Sequence, residues 1–418
     1  MHEVTDEKFC AIVGIDWADT KHDICIQPAG SEIREFQRIV HSPQDIEQWA
    51  LSIRERFNGR VAVVLETSYG PIVHALQKYD FFVLYPVNPA MLAKYREAFN
   101  PSGAKDDPTD AELAVDLFVR HPERINPLKQ QSTPMRKLSH LVEKRRRLVE
   151  DRKRFSNRLI SALKQYYPQP VEWFSHKDTL VFCAFITRWP TLKKVKRARR
   201  STLERFFREH RVNRPKLVEE RIAAIQAARS LTDDPAVVDP CTMEALALTE
   251  QLRVTLQLIK RFDDEIETLA SPIPDYALFS SFPGAGAALA PRLMVAFGED
   301  RERFANAAEL QRYTGIAPVT ERSGKKTWVH WRWACSTFVR QTFVEWAEKT
   351  IYHSYWAGTY YRKQREKGAA HHVATRALAF KWIRILYRCW QSRTPYNETT
   401  YLKALERRGA ELIEPKSA

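Results

Sequence analysis

Ala11-Ile-Val-Gly-Ile-Asp16 is a short apolar run that ends on a carboxylate, and Val61-Ala-Val-Val-Leu-Glu66 has the same form. Lys105-Asp-Asp-Pro-Thr-Asp-Ala111 then brings Asp107 and Asp110 to a place where a helix should begin. Near-continuous runs rich in valine and isoleucine belong to strands buried on both faces, as in parallel sheets. A carboxylate at the end of such a strand is costly to desolvate and repels its neighbours, so it needs a compensating cation. Four oxygen donors, Asp16, Glu66, Asp107 and Asp110, converging on one sheet end would suit Mg²⁺, with Mn²⁺ as a substitute, and a phosphate substrate.

The flanking sequence extends this pattern. His22–Gln27 and 33–40 read as two more strands, the first joined to 11–16 by a turn through Ala18-Asp-Thr-Lys21. Ser42 or Pro43 can start a helix to about Arg56, with Ser42 as its cap. A strand at 60–66, a helix from Pro71 to Tyr79 and a strand at 81–87 before Asn88-Pro89 follow. Three consecutive strands, then helix, strand, helix, strand, is the order of ribonuclease H-like α/β folds. Asp107 and Asp110, three apart, share one helix face, and Pro108 fits a first turn. Taken singly, Asp107 reads equally well as a helix cap.

The chain has 418 residues and a formal charge of +15. Residues 133–214 hold 23 lysines and arginines against 7 acids, so the remainder is close to neutral. A cationic segment beside an acidic site is what an enzyme acting on nucleic acid needs; the plainer reading is a solvated charged helix. Six cysteines without a Cys-x-x-Cys pair indicate neither zinc site nor disulfide framework. The polar N-terminus is no signal peptide, and no apolar run approaches the roughly 20 residues that span a bilayer. The expected location is therefore the cytoplasm of a cell, with access to nucleic acid and without membrane contact.

Three regions are expected: 9–128, 129–275 and 276–400, with 401–418 as a tail. In the second, Thr133-Pro134 opens a long amphipathic helix, Met135 to Gln165, whose polar face carries Lys144, Arg145, Arg146 and Arg147, then Arg152, Lys153 and Arg154. A second cluster, Lys193, Lys194, Lys196, Arg197, Arg199 and Arg200, precedes a helix with Ser201 as cap and Glu204 at the capping-box position. Both clusters are candidate DNA or RNA contacts. Ala245, Leu248, Leu252, Thr255, Ile259, Phe262, Ile266 and Leu269 form a coiled-coil seam. Its partner would be Leu217–Arg229 or a second copy of the chain. In the third region Phe282-Pro-Gly-Ala-Gly-Ala places Gly284 and Gly286 before a helix from Ala287 to Phe297. This helix-hairpin-helix-like turn could cradle a phosphate, although a plain helix–helix turn competes. Ser323 sits before Gly324 among Arg322, Lys325 and Lys326. Such a serine is ordinarily a turn residue, and its hydroxyl is a weak nucleophile without a base or metal. His371-His372 is a surface pair. Trp328, Trp331, Trp333 and Trp346 are expected in core packing, though one could stack on a base.

The ordered set Asp16, Glu66-Thr-Ser-Tyr-Gly70, Val87-Asn-Pro89, Lys105-x-Asp107-x-x-Asp110-Ala111, Phe282-Pro-Gly-x-Gly286 and Gly315-x-x-Pro318 followed by Ser323-Gly324 resembles the DEDD insertion-sequence transposases, the bridge-RNA-guided recombinases. The resemblance runs from about residue 9 to about 390. It implies a RuvC-like nuclease domain, a helical coiled-coil linker and a mainly α-helical C-terminal transposase domain. It places metal ligands at Asp16, Glu66, Asp107 and Asp110 and a nucleophile at Ser323. It further implies donor and target DNA, an element-encoded guide RNA, and a homo-oligomer, dimer or tetramer, whose active sites combine two subunits. Two departures stand out. Asp106 occupies a position where relatives usually have threonine, so ligation could shift by one residue, and Trp331–Trp346 replaces a basic stretch. The competing readings are a Holliday-junction-type nuclease using the acids alone, and a non-catalytic RNA- or DNA-binding protein.

Overall fold

The computed structural model describes residues 9–99, 107–324 and 326–407. The chain forms two compact units, one ending at Gln130 and one beginning at Gln131. In the first, β1 (Ala11–Trp17), β2 (Lys21–Pro28), β3 (Glu35–Val40), β4 (Val61–Leu65) and β5 (Phe82–Pro86) form one sheet in the order β3-β2-β1-β4-β5. The first three strands are antiparallel, and β1, β4 and β5 are parallel. Helices α1 (Pro43–Phe57), α2 (Pro71–Leu76), α3 (Pro89–Phe99) and α4 (Asp107–Arg120) complete the unit. Ser42 caps α1 as expected, its hydroxyl accepting from the Asp45 amide at 3.0 Å. The third strand begins at Glu35 instead of Ile33, because Arg34 reaches α4 and its guanidinium lies 2.9 Å from both Glu112 and Asp116.

The parallel strands are apolar throughout because both of their faces are covered. Val13, Ile15, Val63, Leu65 and Leu84 pack with Ile46, Trp49 and Ile53 of α1 and with Ile72 and Leu76 of α2. Ala62, Val64 and Tyr85 turn the other way, onto Leu92 of α3 and Leu113, Leu117 and Phe118 of α4. Gly14 lets α4 close on β1: a Cβ at that position would overlap the Ala111 carbonyl. The start of α4 is thereby held beside the carboxyl end of the sheet.

The same unit contains a pH-sensitive pair. His22 is fully buried and its Nε2 lies 2.8 Å from His41 Nδ1. Burial, reinforced by His41 and partly opposed by Asp23, lowers the His22 pKa from 6.5 to about 4. The folded state keeps this ring neutral where the unfolded chain takes up a proton. Stability is therefore complete above pH 6.5 and declines as pH falls from there to about 4. Amide exchange in β1–β3, corrected for intrinsic rates, is expected to accelerate over that interval, and His22→Gln to flatten the dependence. Equal slopes in both proteins would disprove this.

The second unit begins with α5 (Thr133–Tyr166), α6 (Gln169–Trp173), α7 (Leu180–Arg188), α8 (Leu192–Lys196), α9 (Arg200–Glu209), α10 (Pro215–Ala227) and α11 (Pro235–Ala270). It continues with α12 (Tyr276–Ser280), α13 (Gly286–Phe297), α14 (Ala307–Tyr313), the hairpin β6 (Val319–Ser323) and β7 (Lys326–His330), α15 (Thr337–His353), α16 (Tyr355–Glu366), α17 (His371–Ser392) and α18 (Glu398–Glu406). The seam on α11 is buried at Ala245, Leu248, Leu252, Thr255, Ile259 and Ile266. Its partner is α5, running antiparallel, with ion pairs Arg145–Asp263 and, at 3.8 Å, Arg158–Glu244. This corrects the expectation for Leu217–Arg229, most of which lies in α10 (Pro215–Ala227), a helix that packs on α8 and α9. The reason is length: α5 has 34 residues against 36 in α11, so pairing them covers far more apolar surface than 13-residue α10 can. Thr255 satisfies its hydroxyl inside the seam by donating to the Gln251 carbonyl at 2.7 Å.

One end of the α5–α11 pair carries an aromatic core with Phe182, Phe185 and Phe206, and the other a core with Phe297, Phe343, Trp346, Trp382 and Trp390. The expected cap at Ser201 is not formed. α9 starts at Arg200, whose guanidinium engages Glu204 at 2.8 Å and so occupies the capping-box acid. Among the described residues, no helix is long and apolar enough to cross a membrane.

Candidate active site

The strand register brings two of the four acids together. Ile15 pairs with Leu65 across parallel β1 and β4, so Asp16 and Glu66 are the next residues along neighbouring strands. Side chains alternate along a strand. Asp16, within β1, therefore shares the face of Ile12 and Gly14, the face that α4 covers, and Glu66 directly follows the last residue of β4. Asp110 lies in the first turn of α4, beside Ala111 where the helix meets Gly14. It is 5% exposed, and the Arg96 guanidinium of α3 stands 2.5 Å from its carboxylate. A buried carboxylate requires such a counter-charge. Asp107 is the first residue of α4, while Asp106 lies outside the described residues.

Two further carboxylates belong to this face, and neither was singled out from the sequence. Asp23 is directly opposite Asp16 on β2, and its Oδ1 accepts from Arg38 of β3 at 2.7 Å. The tight β1–β2 turn fixes that pairing, so the hairpin register was the signal that could have found it. Asp116 has a structural role. Burial alone would raise its pKa, but hydrogen bonds from Tyr95, Arg34 and Arg120 hold it below the usual range. Among the described residues, no three histidine, cysteine or acidic side chains stand close enough to hold a metal ion as they are oriented. The donor set of Asp16, Glu66 and Asp110 is nevertheless all oxygen, the chemistry that suits Mg²⁺.

Ser323 is the last residue of β6, paired with Lys326 across a tight turn in which Gly324 has φ +57°. Apart from the half-buried Val319, the described residues of this hairpin are exposed, so it has no core of its own. It is held at its base. Arg376 of α17 donates to the Gly315 and Ile316 carbonyls, both at 3.0 Å, and its guanidinium lies 3.8 Å from the centre of the Trp331 ring. One side chain thus ties the incoming and outgoing segments together. Gly315, with φ +70°, also packs so closely on Cys335 that a Cβ would overlap its sulfur. Arg376→Ala removes a stacked cation and two hydrogen bonds, together on the order of 1–3 kcal/mol. Trypsin cleavage within residues 319–330 is expected to accelerate about ten-fold, the factor corresponding to roughly 1.4 kcal/mol of easier opening. An unchanged cleavage rate would show that the hairpin is held by something else.

The tryptophans depart from expectation. Trp346 is fully buried, but Trp328, Trp331 and Trp333 are 44%, 46% and 79% exposed. Trp346 lies on the inner face of α15, whereas the other three belong to the hairpin and the segment that leaves it, which stand away from the helical core. Gly284 and Gly286 also divide. Gly284, with φ +70°, is pressed against α15, where a Cβ would come within 2.9 Å of the Lys349 Cβ; Gly286, with φ +41°, faces open space. The first glycine is thus explained by packing, and only the second is open to a ligand. α13 starts at Gly286, one residue before the expected Ala287.

The two cationic clusters differ once folded. On α5, Arg145, Arg146, Arg147, Arg152 and Arg154 are paired with Asp263, Glu150, Glu143, Asp178 and Asp151, leaving Lys144 and Lys153 exposed. In the second cluster Arg200 is paired and Lys196 donates to the Ala228 carbonyl at 2.7 Å. Lys193, Lys194, Arg197 and Arg199 are exposed, with no ion pair to an acid among the described residues. The second cluster is the stronger phosphate-binding surface. Arg322 and Lys326 are exposed beside Ser323, and Lys325 lies outside the described residues. His371 is held by Tyr361 at 2.8 Å.

Comparison with known proteins gives two family matches. A DEDD transposase model of the IS110 type matches residues 13–168, and a model described as Transposase IS116/IS110/IS902 family matches residues 276–362. The chain belongs to the IS110-type transposases. The first matched segment of this transposase contains Asp16, Glu66, Asp107 and Asp110, and the second contains Ser323. A Streptomyces coelicolor protein assigned as the mini-circle transposase for IS117 is 27% identical over 401 residues, covering 94% of this chain and 97% of the relative. The 43.6 kDa protein of insertion element IS110, from the same organism, is 26% identical, with 71% and 73% of the two chains covered.

Proposed function

We propose that this transposase cuts and rejoins DNA strands, using Ser323 as nucleophile and Asp16, Glu66, Asp107 and Asp110 as an Mg²⁺-binding set. The observation that carries the reading is the placement of Asp16 and Glu66 side by side at the carboxyl ends of β1 and β4, beneath the first turn of α4. Mg²⁺ bound there would draw charge from the scissile phosphate and lower the pKa of a nearby hydroxyl. Asp16 and Glu66 would be the nearest pair of ligands. Asp110 would exchange its contact with Arg96 for the ion, which accounts for a counter-charge already present at that carboxylate.

Attack by Ser323 Oγ forms an O–P bond and breaks the phosphodiester, so the strand end leaves as a free hydroxyl and the serine proton is lost to solvent or base. Attack by a second strand's hydroxyl reverses the exchange and frees the serine. The number of phosphoester bonds is unchanged, so no ATP is required. Lys326, opposite Ser323, supplies positive charge beside the phosphate. Reaction of this kind depends mainly on positioning and charge. The family resemblance adds an element-encoded guide RNA that pairs with donor and target DNA, and an oligomer in which two subunits complete each active site. The exposed cluster Lys193, Lys194, Arg197 and Arg199 is the surface best suited to hold RNA backbone.

The test is to incubate the protein with Mg²⁺, the transcribed flank of its element and DNA carrying the element end, and then to denature it. A nucleotide recovered on residue 323 after nuclease digestion is the expected result. Nicked DNA without an adduct would favour the nuclease that uses the acids alone, and neither product would favour a non-catalytic binder. Sequencing of co-purified RNA tests the guide.

A further inference from the structure

The hairpin that carries Ser323 also carries an aromatic side chain on which, among the described residues, neither ring nor cation packs. Side chains alternate across a hairpin, so Val319, Glu321 and Ser323 share one face with His330, Trp328 and Lys326, their direct partners. Trp328 is thus the diagonal neighbour of Ser323, at a spacing of about 7–8 Å for such pairs, within reach of a long or aromatic side chain. It is 44% exposed. Trp331 has one face taken by the Arg376 guanidinium, whereas Trp328 has no such contact among the described residues. The surrounding charge is positive. Residues 319–333 contain one acid, Glu321, against Arg322, Lys325, Lys326 and Arg332, and Glu321 lies 3.4 Å from His330.

An exposed indole among cations is the pattern by which proteins hold unpaired nucleotides: cations follow the backbone while a base stacks on the ring. Stacking does not read sequence, which suits an enzyme whose specificity lies elsewhere. A strand that is cut and exchanged must also be unpaired near the break. We infer that Trp328 is a stacking platform for an unpaired DNA base next to the phosphate that Ser323 attacks, with Lys326 on that phosphate. The inference rests on the serine chemistry proposed above. It also gives the hairpin's exposure a purpose, since a ring packed into the core could not receive a base.

The test uses the full-length protein and fluorescence anisotropy with three labelled probes of equal length: oligodeoxythymidylate, oligouridylate and a DNA duplex. Raised salt weakens the backbone attraction common to all three. Trp328→Ala is expected to weaken binding of the DNA single strand about ten-fold, within the range for loss of one base–aromatic stack, and to leave the duplex unchanged. Trp328→Phe, which keeps a ring, is expected to retain most of the affinity. Unchanged single-strand affinity in Trp328→Ala overturns the inference. So does a loss confined to oligouridylate, or a change of oligomeric state without nucleic acid, which would mark the indole as a protein contact. Ser323→Ala binds like the wild type if stacking is independent of chemistry. Strand exchange surviving in Ser323→Ala would therefore defeat the serine reading and with it the placement of the base beside that phosphate, whereas intact binding by Trp328→Ala would defeat the stacking reading alone.

Discussion

Ser323→Ala is expected to abolish strand exchange, by at least about 10⁴-fold, the scale on which loss of a covalent nucleophile acts in other enzymes. The fold should be untouched. Ser323 is exposed at the end of β6, with its strand neighbours exposed as well. Surface substitutions of this kind usually change stability by less than about 0.5 kcal/mol. The melting temperature and the affinity for nucleic acid should therefore match the wild type while the covalent adduct disappears. The two competing chemistries separate here, because a nuclease working through the acids alone would cut DNA as well with alanine at 323. Full strand exchange by the variant would rule the serine out.

The second large effect is expected at the sheet. Asp16→Asn or Glu66→Gln keeps shape and removes one negative charge from neighbouring positions at the ends of β1 and β4. Activity should fall by more than about 10³-fold, since single electrostatic contacts to developing charge are already worth about that much. Mg²⁺ should raise the melting temperature of the wild type, by mass action on the folded state, and fail to do so in the variant. A variant with unchanged activity and an unchanged Mg²⁺ response would remove the acids from the mechanism.

Much of the N-terminal unit was legible in the sequence because its signals are local. Apolar runs such as Val61–Leu65, short, rich in β-branched residues and bounded by turn signals, mark strands buried on both faces, and a carboxylate following such a run falls at the sheet's end. The register that brings Asp16 level with the residue after β4 follows once the parallel pairing of β1 and β4 is known. Asp23 was missed because its importance comes from the partner strand: alone it is an acid within an apolar stretch, and only the pairing with Asp16 gives it a place.

The helical unit was less legible. Its seam on α11 was evident from heptad spacing, but the helix that covers it was not, since several amphipathic helices present compatible stripes and chain length decides among them. The arginines of α5 look like a nucleic-acid surface in one dimension; in three, five of the seven cations in its clusters face carboxylates. Tryptophan composition likewise could not separate Trp346, fully buried on α15, from Trp328, exposed on a hairpin without a core.

By itself the amino-acid sequence determined the strands of the first unit, its α/β character, and the family. These follow from periodicity, turn chemistry and the order of motifs, which neighbouring residues carry among themselves. Tertiary structure alone decided which helix pairs with α11, which cations remain free of acids, and that Ser323 stands on an exposed arm held by Arg376 with Trp328 on its face. Each of those depends on contacts between residues far apart in the chain, where competing partners are chosen by buried area and charge.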